Sequence, residues 1–270
     1  MRGNWHGPLT GSGCFRYSRT MSFDLSDLLR DWPFEPGQLQ VRKIVGSDGL
    51  EKLQLRLDMG VLQMEMRGRP DGQQPHGMDT EFEYQTERAR EVGEEFELTV
   101  DQIAELQSEG VQYYHRYLAL FQLGDWAGVI RDTKRNLEMF NFVARHAPNE
   151  GAAWAMQEFR PYVLMMNTRA KANLAMEKGD AEAAIGLVEK GISRIEKFLR
   201  DHTRDEEAGE GEGGNSDVAN LREWLAELRK VKPLTPAEKL RREMEQAIQD
   251  EKYERAAELR DAIRDLRRNR

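Results

Sequence analysis

The densest group of chemically competent side chains lies in Arg67-Gly68-Arg69-Pro70-Asp71-Gly72 and the His76-Gly77 pair that follows it. Two guanidinium groups beside glycines can present charged donors and bare backbone N–H groups to an oxyanion. Arg67, Arg69, Asp71 and His76 are therefore a candidate anion or small-ligand loop. The same residues meet a simpler demand, since Pro-Asp-Gly turns a chain and arginines on a turn are well solvated. A pocket converging on the four side chains favours the first reading, and an exposed turn favours the second. Another group, Tyr113-Tyr114-His115-Arg116-Tyr117, offers rings to stack a base and a cation to hold an anion. Aromatics at helical spacing also build cores.

Beyond these groups the chemistry thins out. The five histidines, His6, His76, His115, His146 and His202, are scattered without metal-ligand spacing, and no Walker A loop, GxSxG or GxGxxG occurs. The single cysteine, Cys14, leaves no disulfide within the chain and no thiolate cluster for zinc. Glu81, Glu83 and Glu87 cluster without a basic or metal-ligand partner and read as a solvated acidic face. No catalytic residue, cofactor or metal is expected, and the chain reads as non-enzymatic.

Composition narrows the class. The 270 residues are 39% hydrophobic and 33% charged, with a net charge of -8. That balance suits an elongated or thin-layered protein with much surface per residue. No apolar run approaches the roughly 18 residues of a membrane span, and no secretory signal opens the chain, so a cytoplasmic protein is expected. The acidic total argues against a surface devoted to nucleic acid. It leaves room for a local basic patch at Arg264, Arg267, Arg268 and Arg270, which suits a helix C-terminus or contact with DNA phosphates.

The elements that must position these groups begin after residue 20. Residues 1–20 carry three Arg and no acid and lack periodicity, so they read as disordered or as lying upstream of a true start at Met21. A helix with Leu25, Leu28 and Leu29 on one face is broken by Trp32-Pro33-Phe34-Glu35-Pro36-Gly37. A β-prone run over Leu39–Val45 reaches the turn Ser47-Asp48-Gly49. Leu53, Leu55 and Leu57 then alternate with Lys52, Gln54, Arg56 and Asp58, the period of a half-buried strand. The apolar phase switches at Gly60 to Leu62, Met64 and Met66, which predicts a bulge or sharp bend there.

From residue 80 the pattern is helical. Thr99 and Gln102 form a capping box for a helix to about Leu123. Further helices run from about 126 to 146, over 152–178 with an interruption near Pro161, and from about 181 to 202. Gly124-Asp125 and Gly179-Asp180 punctuate at a spacing of 55 residues, each followed three to five residues later by small or branched apolar residues. This resembles the hairpin turn of tetratricopeptide (TPR) repeats. By analogy the resemblance implies paired antiparallel helices with a concave peptide-binding face.

Residues 203–216, TRDEEAGEGEGGNS, hold nothing apolar larger than Ala and are expected to form a flexible tether. A helix capped by Asn215 or Ser216 should follow, with Val218, Leu221, Leu225 and Leu228 on one stripe. Thr235-Pro236-Ala237-Glu238 then reads as a capping box with Pro at N1. It opens a helix with Leu240, Met244, Ala247 and Ile248 on one face. A second helix carries Tyr253, Ala256, Ala257, Arg260, Ile263 and Leu266.

Leu240, Met244, Ala247, Tyr253-Glu254, Ala256-Ala257, Leu259-Arg260-Asp261, Ile263 and Leu266, at this spacing, resemble the UvrB/UvrC (UVR) motif. Ile248 and Tyr253 stand where that pattern has Ala and Phe, changes that leave a helical hairpin intact. The resemblance implies a protein–protein contact, of the kind that joins excision-repair subunits and that also occurs in stress-response adaptors. A hairpin of this size buries too little to stand alone, so it should self-associate, dock on a partner or fold back on its own chain.

The expectation is a mainly α protein, α+β overall. It comprises a small N-terminal unit with a β-hairpin (21–79), a TPR-like helical domain (80–202), the acidic linker (203–216), a connecting helix (217–232) and the UVR hairpin (233–270). The function expected is that of an adaptor for a protein partner. The alternatives are a nucleotide-excision-repair accessory factor touching the incision complex or DNA, and ligand binding at the Arg67–His76 loop.

Overall fold

The computed structural model describes residues 24–202, 212–231 and 236–268. The expectations placed on residues 1–20, the start at Met21 and Cys14 among them, lie outside the described residues. After a short helix α1 (Ser26–Asp31) come three strands, β1 (Val41–Val45), β2 (Glu51–Leu57) and β3 (Gly60–Glu65), in an antiparallel meander of order β1-β2-β3. The phase switch at Gly60 is a hairpin turn. Leu57 pairs with Gly60 across Asp58-Met59, so Leu53 faces Met64 and Leu55 faces Leu62. A two-residue loop exchanges odd for even positions while keeping one apolar face. The unit is thus three strands, where one β-hairpin was expected.

The polar side of β2 corrects a second expectation. Lys52, Gln54 and Arg56 alternate as a solvent face would, yet all three are buried. Arg56 donates from Nε to the Trp32 carbonyl at 2.7 Å, and Gln54 joins Arg42 and Gln63 in a cross-strand row. The Arg42 guanidinium lies 4.1 Å from the Trp32 ring centroid. The proline-rich segment after α1 therefore meets this face at Arg42 and Arg56, while Lys52 pairs with Asp48 and Glu65, so the polar atoms there are satisfied.

The remaining described elements are helices: α2 (Glu81–Val92), α3 (Val100–Gln122), α4 (Trp126–His146), α5 (Glu150–Gln157), α6 (Arg160–Glu177), α7 (Ala181–His202), α8 (Glu212–Val231), α9 (Pro236–Gln249) and α10 (Tyr253–Arg268). Thr99 and Gln102 make both bonds of the capping box at the start of α3. The 152–178 stretch divides into α5 and α6, with Pro161 in the first turn of α6, where its missing N–H costs nothing. Packing runs α3 on α4, α4 on α6, α6 on α7 and α7 on α8. Leu53 and Leu55 join the helical core through α3.

The two Gly-Asp turns are the same physical object. Asp125 N–H donates to the Leu120 carbonyl at 2.9 Å and Gly124 N–H to Phe121; Asp180 N–H donates to Ala175 at 3.0 Å and Gly179 N–H to Met176. Each glycine is left-handed, at φ +72° and +77°, as this helix-ending motif requires. Each aspartate then caps the next helix, Asp125 at Gly128 N–H and Asp180 at Ala183 N–H.

Helix α8 changes the expected organisation. It begins at Glu212, inside the segment expected to be linker, and it is no free connector. Val218, Leu221, Leu225 and Leu228 belong to the main core, and the helix lies on α7 and α6. Arg222 pairs with Glu196 at 2.6 Å and Arg229 with Glu189 at 2.7 Å, so α7 and α8 run antiparallel. Residues 203–211, the rest of the expected tether, lie outside the described residues. By their place in the chain they join two packed helices and do not carry the hairpin. The stretch between the body and the hairpin is 232–235.

Candidate functional site

The C-terminal hairpin is built from two amphipathic helices and a three-residue turn. α9 closes with Lys252 N–H donating to the Ala247 carbonyl at 2.8 Å and Glu251 N–H to Ile248 at 3.1 Å. These are the bonds that end α3 and α6, but Glu251 holds the left-handed position, at φ +60°. The turn brings Ala247, Ala256 and Leu259 into a buried cluster, with Leu240 and Met244 packed against it. This cluster is separate from the main core. Small residues at the seam let the helices approach closely, which is why alanines occupy it.

What the seam leaves out faces solvent. Tyr253 is 67% exposed and Ile248 48%. Glu254 and Arg260 are exposed, Ala257 is half-buried, and Asp261 pairs with Arg260 and Arg264, each at 3.3 Å. The hairpin thus divides its residues into an internal seam and an outer face where aromatic, aliphatic and charged groups alternate. Ile263 and Leu266, expected on the same stripe, lie in α10, and their side chains fall outside the described residues. So do the Thr235 cap and the side chains of Arg267, Arg268 and Arg270.

Residues 236–269 match the UvrB/uvrC motif. The UVR hairpin is an interaction motif found in DNA-repair proteins, not a catalytic one, and it meets protein or DNA partners. No curated protein matches the chain, and no solved structure matches it. The family match covers the hairpin and not the helical body.

The Arg67–His76 loop is tied inward. Arg69 pairs with Asp71 at 3.0 Å and lies 3.6 Å from Glu109, while Asp71 also accepts from Gln112 at 2.9 Å. His76 stacks on Tyr84 with ring centroids 3.8 Å apart and stands 3.4 Å from Glu81. Arg67 is exposed. Arg69 and Asp71 thus pair with each other, while His76 packs on Tyr84 beside Glu81. The loop backbone is held from below, since Gly68 O accepts from Tyr113 Oη at 3.0 Å and from Arg116 Nη1 at 2.8 Å.

Beneath the loop lies a buried charge network that spacing did not reveal. Arg116 grips Asp132 with two hydrogen bonds, at 2.7 and 2.9 Å. Glu109 accepts the first backbone N–H groups of α2, from Glu81 at 2.7 Å and Phe82 at 3.2 Å, and pairs with Arg135. A carboxylate at a helix N-terminus is stabilised by the helix dipole and by bonds the helix cannot make itself. The signal was Arg116 within a tyrosine-rich helix, where only a buried partner tolerates a charge. Among the described residues no group of three or more His, Cys, Asp or Glu could hold a metal ion, and no helix is long and apolar enough to cross a membrane.

Proposed function

We propose that the chain is a non-enzymatic adaptor that recruits a protein partner through its C-terminal hairpin. The observation that carries this is the UVR match at 236–269 on a hairpin whose buried seam is small and whose outer face exposes Tyr253 and Ile248. Exposed aromatics flanked by charges are the usual anchors of a protein interface, and so small a core gains most from being covered. Recruitment runs through Tyr253, Glu254, Arg260 and Asp261 at the rim, with the helical body offering a second contact that raises effective concentration.

The test is affinity capture with three baits: the full chain, a chain ending at Val231, and the full chain carrying Tyr253→Asp. Proteins held by the first and lost by both others are the adaptor's partners. Excision-repair subunits in that set assign the chain to repair, and a chaperone, protease or kinase assigns it to a stress response. A set unchanged by either alteration refutes the adaptor. Salt-sensitive retention of DNA by the full chain, lost without Arg264, Arg267, Arg268 and Arg270, favours the accessory-factor reading instead.

A further inference from the structure

A cavity of about 430 Å³ opens in the helical body, within the roughly 300–1,000 Å³ typical of small-ligand sites. Its origin is the break between α5 and α6. α3 and α6 each pack on α4, while α5 ends at Gln157 and packs on α4 and α3. The space between α3 and α6 is left unfilled. Gly110 lies on the floor, where a Cβ would stand 2.8 Å from Met139 Cε.

The lining sets the chemistry of the occupant. Phe140, Met156 and Val163 supply apolar wall, and no Lys, Arg, Asp or Glu lines the cavity. A charged ligand would lose its hydration there without compensation. Three tyrosines of the lining touch one another: Tyr114 meets Tyr117 edge-on at 5.6 Å between ring centroids and leans on Tyr162 at 6.1 Å. The Asn136 amide is already used, donating to Gly110 O at 3.0 Å and accepting from Arg135 at 3.1 Å.

Gln107, Tyr114, Tyr117 and Tyr162 line the cavity with side chains that make no hydrogen bond to a described residue, and Tyr117 is the most deeply buried of them, at 1% exposed. A phenol that opens on the cavity and bonds to no described residue can donate to an acceptor placed there. Burial also holds the phenols neutral: the Tyr162 hydroxyl is pushed up to about 12, and Tyr117 is raised further by the same cause. Both are donors at any physiological pH.

We propose that this cavity binds an uncharged, ring-bearing small molecule whose carbonyl or ether oxygen accepts a hydrogen bond from Tyr117. Tyr114 and Tyr162 stack or edge against its ring, and Val111 stands at the mouth. The site lies in the body and does not depend on the adaptor reading.

Two neutral fluorescent probes test it on the full chain: Prodan, a naphthyl ketone whose emission moves to the red when its carbonyl is hydrogen-bonded, and acenaphthene, a hydrocarbon of similar ring size. Both should bind saturably. Tyr117→Phe should weaken Prodan about tenfold and move its bound emission to the blue, leaving acenaphthene and the melting temperature unchanged. Val111→Trp should weaken both probes about tenfold by filling the mouth. No saturable binding of either probe means the cavity holds only water and overturns the proposal. Equal weakening of both probes by Tyr117→Phe, or a fall in melting temperature, makes the hydroxyl structural and also overturns it. Full binding retained in Val111→Trp places the probes elsewhere on the chain and overturns it as well.

Discussion

Lys252 N–H reaches the Ala247 carbonyl at 2.8 Å across a residue in left-handed conformation. The bond is the counterpart of Asp125 to Leu120 and of Asp180 to Ala175 in the body. In the body the turn is Gly-Asp; in the hairpin it is Glu251-Lys252. A Cβ at positive φ costs about 1 kcal/mol, and Lys252 provides no side-chain cap where Asp caps the other two. Glu251→Gly with Lys252→Asp should therefore stabilise the hairpin by about 1–2 kcal/mol. Amide exchange at Ala256 and Leu259 in the full chain, slowed about tenfold or more, is the expected outcome.

Asp132 serves two arginines of unequal worth. Arg116 is 1% exposed and binds it twice, whereas Arg131 is 46% exposed at its side chain. Arg116→Met leaves a buried carboxylate with one peripheral partner and removes one of the bonds to Gly68 O, and should cost about 3–5 kcal/mol. Arg131→Met should cost about 1 kcal/mol or less. Urea unfolding of the two variants measures the contrast.

Two glycines of α7 should respond to alanine with opposite signs. A Cβ at Gly191 would stand 2.3 Å from Thr168 Cγ2 on α6, while one at Gly186 meets nothing within 4 Å. Gly191→Ala forces α6 and α7 apart and should cost about 1–3 kcal/mol. Gly186→Ala should add about 0.5–1 kcal/mol through helix propensity. Thermal melts of both variants decide the matter.

Asp217 carries a pH dependence. It is buried in α8, and burial raises its carboxyl to about 6. The folded chain therefore holds this proton more tightly than the unfolded one. That contribution favours folding most at acid pH and is lost as pH rises from about 4 through about 6. Asp217→Asn should raise stability at neutral pH by on the order of 2 kcal/mol and change it little below about pH 4. Melting curves at the two pH values give the comparison.

Local rules made the helix ends legible. Thr99 with Gln102, Pro161 at the start of α6 and the two Gly-Asp turns each depend on neighbours within a few residues, and the structure has them as spacing predicts. Spacing failed where the answer depended on distant partners. Lys52, Gln54 and Arg56 alternate as exposed residues do, but Trp32 and Phe34 return to Arg42 and Arg56, and Lys52 is held between Asp48 and Glu65. The α8 stripe was visible, but a stripe names a face and not what covers it. Likewise the Tyr113–Tyr117 group was seen as core or platform. The cavity beside it is a gap left between α3 and α6, and no residue spells a gap.

The antiparallel pairing of α7 and α8 gives two connecting stretches, 203–211 and 232–235, different consequences. Doubling the length of 203–211 would alter only the closure of one loop, at about 0.6 kcal/mol. The four residues 232–235 set the working radius of the hairpin, because they let Val231 and Pro236 stand no more than about 18 Å apart. Whatever grips the hairpin is therefore leashed close to the end of α8. Glycine insertions at 232–235 would loosen that leash, and the same insertions at 203–211 would leave it as short as before.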